Sequence, residues 1–247
     1  MIESHEAHRL IIRNMRVLEE APAVVEEVTR AVFKRINEKV EQWVETQEGW
    51  EAIFSLNGYD DGGETTFQAA SWGQTDDGTY LACLQFACRG ERLWHWLSPL
   101  VGANEDAFGF FLKALPVWIT GNTGRKGARP GKTWTRYLAD HLQNFPALIQ
   151  CGFGLEGGDV FLPVRLEAEE LAEAYPYSLD DALPPIDEAL KKITDILPEL
   201  DRLITSAKAH FRSEESGASA PRVWRSSGTV ASSSARIRRD SPKARLV

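Results

Sequence analysis

The sequence predicts an α+β fold: a four-stranded antiparallel meander packed by helices, a second β-hairpin, a C-terminal helical hairpin and a disordered tail. Three observations carry this. Apolar residues recur at helical spacing before Gly49 and again after Glu167. Between these regions the apolar period falls to two, and turn-forming residues punctuate the runs. Helical and strand segments are thus grouped rather than alternating, which argues against a doubly wound parallel sheet.

The elements follow in order. A first helix over residues 5–19 carries Leu10, Ile11, Met15 and Leu18. A second covers residues 22–45, with Pro22 suited to a first helical position, where its missing N–H costs nothing. Val25, Val28, Val32, Ile36, Val40 and Trp43 fall three and four apart, while Glu26, Glu27, Arg30, Lys34, Glu38 and Glu41 occupy the opposite face. Strands are expected at residues 50–57, 65–72, 79–88 and 91–98. The connections contain Asn57-Gly58, Asp76-Asp77-Gly78 and Arg89-Gly90, and their shortness makes neighbouring strands antiparallel. Asn104 is read as the N-cap of a helix over residues 105–118, with Phe108, Phe111, Leu112 and Leu115 as its stripe. A glycine-rich basic loop over residues 121–132 precedes a helix at 134–144 and an apolar turn at 147–149. Residues 152–155 and 159–166 flank Glu156-Gly157-Gly158 as the second hairpin. Helices at 167–174, 185–197 and 199–211 close the fold, with Pro198 separating the last pair.

Composition bounds the class. The chain has 247 residues and a net charge of -8, and it is read as one α+β domain over residues 1–212 with a sub-boundary candidate near 121–132. The charge is unevenly shared. Residues 213–247 hold seven basic and three acidic residues and nine serines, leaving 21 basic and 33 acidic residues in the body, a net -12. A serine-rich tail with scattered apolar residues cannot offset its ordering entropy. Three cysteines make no disulfide framework and fit a reducing compartment, so a cytoplasmic location is expected. The N-terminus has no apolar signal-peptide core, and no window approaches the roughly 18 apolar residues of a membrane span, so no membrane partner is expected.

Candidate chemistry is sparse. The loop ends Gly131-Lys132-Thr133 before a helix, but a P-loop needs a glycine where Lys126 stands, and Pro130 removes an N–H. Acidic pairs at Asp60-Asp61, Asp76-Asp77, Glu105-Asp106, Glu169-Glu170 and Asp180-Asp181 suit turns and helix starts better than a metal centre, which needs carboxylates converging from different elements. The third strand, residues 79–88, lacks the acid and lysine of a nuclease core. Cys83 and Cys88 are five apart on one strand and point to opposite faces; Cys151 with His141 as base lacks an orienting third group. Neither metal nor cofactor is expected. The strongest positive feature is the basic island Arg125, Lys126, Arg129, Lys132 and Arg136 with Trp134 among them: cations for phosphate and an aromatic to stack on a base, or a contact for an acidic protein. Trp50, Trp72, Trp94 and Trp96 supply either an aromatic core or a docking face.

The expected function is a non-enzymatic binding protein, an inhibitor or regulator docking on a protein or nucleoprotein complex whose basic surface the acidic body complements. Two alternatives stand beside it. One is a direct nucleic-acid binder using the basic loop over residues 121–136; the other is an enzyme, nuclease-like or nucleotide-binding, whose site spacing does not reveal.

Overall fold

The computed structural model of the chain describes residues 4–54, 65–73, 81–89, 97–114 and 130–217. Helix α1 (Ser4–Arg13) runs into α2 (Met15–Glu45) with only Asn14 between them. Helical bonding continues across this point: the Asn14 N–H reaches the Leu10 and Ile11 carbonyls, and the Leu18 N–H reaches the Asn14 carbonyl, at 3.0–3.1 Å. Pro22 therefore lies inside α2 rather than at its start. Proline's φ is already helical, and what it forfeits is one bond to the Leu18 carbonyl. Leu18 is exposed, so water can take that bond.

The strands are β1 (Trp50–Phe54), β2 (Thr65–Ala69), β3 (Ala82–Arg89), β4 (Ala107–Ala114), β5 (Gly154–Glu156) and β6 (Asp159–Pro163). They form one antiparallel sheet in the order β1-β2-β3-β4-β6-β5. Helix α3 (Leu97–Leu100) sits between β3 and β4. The expected strand at 91–98 is not the fourth strand: Leu97 and Ser98 belong to α3, and Trp94 and Trp96 lie outside the described residues.

The helix expected over residues 105–118 is instead β4, near the middle of the sheet. Asn104 Oδ1 accepts the Asp106 N–H at 3.1 Å, closing a turn into a strand rather than capping a helix. The reason is burial on both faces. Phe108, Phe110 and Leu112 point one way and Phe111 the other, all buried, so the polar alternation that marks a half-solvated strand is missing. Gly109 is required here: a Cβ at this position would lie 2.1 Å from the Leu162 carbonyl oxygen on β6.

Register sorts the sheet's two faces. Ala52, Phe67, Leu84, Leu112 and Val160 make one row, and Phe86, Phe110 and Leu162 the next. Helix α2 lies on this side. Phe33 meets Phe108 with ring centroids 5.5 Å apart, and Trp43 meets Phe67 at the same distance. Thr66, Gln85, Phe111 and Phe161 form a row on the opposite face, where Phe111 and Phe161 stack at 4.4 Å.

The remaining helices are α4 (Pro130–His141), α5 (Pro146–Gln150), α6 (Ala168–Ala174), α7 (Pro184–Asp195) and α8 (Leu197–Gly217). Ile186, Leu190, Ile193, Leu200, Leu203 and Ile204 of α7 and α8 are buried. Helix α7 is pinned to α2 by Trp43 Nε1–H donating to Thr194 Oγ1 and by the Lys39–Asp187 ion pair. Helix α8 is tied to the end of β2 by Trp72, whose indole N–H donates to Asp201 at 2.6 Å. Helix α8 continues to Gly217, past the expected tail boundary at 213; residues 218–247 lie outside the described residues.

Candidate functional site

Of the basic island, Arg125, Lys126 and Arg129 lie outside the described residues. Lys132 and Arg136 are exposed one turn apart on α4. Trp134 is not with them. It is 2% exposed, and its ring stacks on Tyr137 with centroids 5.8 Å apart. Trp134, Tyr137 and Leu138 stand at helical spacing on the core side of α4, so the aromatic expected to stack on a base belongs to the core. The strand preceding the loop is β4, with antiparallel neighbours, unlike the parallel strand that feeds a P-loop.

Other polar groups are brought together by folding. His141 and His210 pack on Tyr137 at centroid distances of 4.6 and 5.1 Å, and the Tyr137 hydroxyl donates to Ser206 at 3.0 Å. Burial pushes the Tyr137 phenol above its usual range, and the Ser206 bond offsets part of that. Cys83, opposite Lys113, and Cys88, opposite Phe108, occupy the two faces of β3. Both are buried, and desolvation raises the Cys88 thiol to about 12, so it is not a nucleophile at neutral pH. Among the described residues, no three His, Cys, Asp or Glu side chains converge to hold a metal ion.

An unforeseen cluster joins β3, β4 and β6. The Asp159 carboxylate, only 10% exposed, accepts from Arg89 and, at 2.6 Å, from Lys113. Both cations lie over the Phe111 ring, 5.1 and 5.2 Å from its centroid, and Arg89 also donates to the Glu156 carbonyl. One carboxylate thus joins two cations from neighbouring strands, a clamp that keeps one net positive charge. No spacing in the sequence could unite three residues spread over 70 positions. A second clamp, Arg35 with Asp180 at 2.6 Å, ties α2 to the turn before α7 and holds the Asp180 carboxyl below its usual range.

Among the described residues, the arm formed by α1 and the first half of α2 is the segment least covered by the rest of the fold. Every residue from His8 to Glu20 is exposed, on all sides of the helix. Of the eleven large apolar side chains exposed in the described residues, seven lie on this arm, so the exposure is concentrated. They are Leu10 (63%), Ile11, Ile12 (72%), Met15, Val17 (64%), Leu18 and Val24. A cleft of about 400 Å³ runs beside the base of the arm, lined by Leu18, Pro22, Val25, Leu97 and Val101. From Thr29 onward the helix is seated on the sheet, with Val32, Phe33, Ile36 and Val40 fully buried. An isolated helix of this length is marginal in water, so the arm holds its form as an extension of a packed helix.

Among the described residues no helix is long and apolar enough to cross a membrane. Compared with protein-family models, with curated proteins and with solved structures, the chain matches none.

Proposed function

We propose that the chain is a non-enzymatic binding protein with two working surfaces. The helical arm docks another polypeptide through its apolar side chains. The acidic body, at net -12 over residues 1–212, is directed toward a basic surface such as that of a nucleoprotein complex, which it regulates by occupying it. The observation that carries the docking role is the complete exposure of residues 8–20, six of them large and apolar, with Val24 a seventh just beyond. Helix-in-groove recognition uses anchors at this spacing.

The test is comparative cross-linking in the native host with the wild-type chain and Ile11→Glu/Leu18→Glu. Both positions are exposed, so the fold should be retained, and cross-links to residues 8–25 should disappear from the variant. An unchanged cross-link pattern rejects the docking role. Direct nucleic-acid binding keeps one support, the exposed pair Lys132 and Arg136 on α4. It requires a salt-dependent gel shift that Lys132→Glu/Arg136→Glu reduces.

A further inference from the structure

We propose that the partner of the arm is a second copy of the same chain, the two arms lying antiparallel about a two-fold axis near Leu18. This rests on the docking role given to the arm above. Three observations lead there, beginning with spacing. Ile11, Met15, Leu18 and Val25 are separated by four, three and seven residues, which is the seam of a heptad repeat. Met15 and Leu18 are exposed while Val25 lines the cleft at the base, so the seam emerges from the body and runs out along the arm.

The second observation is the order of charge. The outer half of the arm carries Arg9, Arg13 and Arg16 against Glu6, and the inner half carries Glu19, Glu20, Glu26 and Glu27, so the two halves are of opposite net charge. The centres of the two groups are about ten residues apart, roughly 15 Å along a helix. A parallel pair would set arginine against arginine and glutamate against glutamate. An antiparallel pair sets each basic half on the partner's acidic half, and a single patch of this kind is complementary to itself, as a two-fold interface must be.

The third observation is that these charges are largely unused within the chain. Arg16 pairs with Glu20 at 3.1 Å, and Arg30 pairs with Glu26. Arg9, Arg13, Glu19 and Glu27 make no ion pair among the described residues. They are the four that an antiparallel partner would meet. The glutamates also disfavour an anionic lipid surface, which selects amphipathic helices with cationic polar faces.

Sedimentation velocity and light scattering on the full chain, from about 1 to 100 µM, test this. The expected mass is twice 27.6 kDa. Ile11→Glu/Leu18→Glu should sediment as a monomer that still unfolds cooperatively, at a midpoint no longer dependent on protein concentration. Arg9→Glu/Arg13→Glu makes the outer half of the arm acidic like the inner half, and Glu19→Arg/Glu27→Arg cancels the acidity of the inner half. Each should self-associate at least tenfold more weakly, and an equimolar mixture should recover the dimer. For orientation, Arg9→Cys and Glu27→Cys chains should form an inter-chain disulfide when mixed, and Arg9→Cys alone should not. A wild-type monomer at 100 µM overturns the pairing, as does a dimer that survives Leu18→Glu. A disulfide in Arg9→Cys alone overturns the antiparallel order. If the wild type is monomeric but its arm cross-links to a different protein and loses that contact on Leu18→Glu, self-pairing fails while the docking role stands. If arm substitutions alter no association at all, both fail.

Discussion

Substituting Asp159 by Asn tests whether the strand clamp holds the sheet together. The change keeps the side chain's shape and removes its charge. Asp159 is 10% exposed and answers two cations at once, Arg89 and Lys113, whose side chains are 31% and 27% exposed. Removing one partner of a fully buried ion pair costs about 3–5 kcal/mol, whereas an exposed pair is worth about 0–1 kcal/mol. Here the carboxylate is nearly buried but both cations reach water, so the stranded charges stay partly hydrated. The cost should fall between these limits, at about 2 kcal/mol. With a urea slope of about 2 kcal/mol/M, the unfolding midpoint should drop by about 1 M with the slope unchanged. Lys113→Met should cost less, because Asp159 keeps Arg89. The double variant should destabilise by less than the sum of the two, as expected for groups in contact. A midpoint shift under about 0.2 M for Asp159→Asn, or strict additivity in the double variant, would refute the clamp.

Two further outcomes follow from the sheet. Gly109→Ala should destabilise by about 3 kcal/mol, the upper range of overpacking, because its methyl meets the β6 backbone at 2.1 Å; a thermal melt within a degree of wild type would contradict that close approach. Cys88, held near 12 by desolvation, should resist a thiol reagent at pH 8 in a Cys83→Ser/Cys151→Ser chain and react once urea is added. Because its folded pKa is raised, the contribution to stability is complete below the unfolded thiol's pKa, about 8.5, and is lost progressively from there up to about 12. Native-state labelling as fast as that of the unfolded chain would show the thiol to be accessible.

The seated half of α2 was readable because Val32, Ile36 and Val40 repeat at helical spacing against a charged opposite face. β4 was not. Its Phe-Gly-Phe-Phe-Leu run is apolar on both sides, and a short apolar run without alternation fits a helix stripe as well as a buried strand. Gly109 and Pro116 were the signals against a helix there. Trp134 misled for a different reason. Charge along the sequence placed it among cations, but a helix turns 100° per residue and carries Lys132 and Arg136 away from the face that Trp134 buries. Leu10, Ile11, Met15 and Leu18 were legible as the apolar residues of a first helix, yet their spacing does not report whether the body covers them.

That α2 passes from solvent to core without a loop has a thermodynamic consequence. With no loop between them, the arm continues the helix that is seated on the body, and a partner that captures the folded arm is a ligand of the native state. Occupancy then adds to global stability by mass action, about 2.7 kcal/mol when the partner stands at a hundred times its dissociation constant. Amide exchange would record this as a gradient along one helix, fast over residues 8–20 and slow from Thr29 onward, that flattens when the arm is occupied. Folding and association would be read by the same hydrogen bonds.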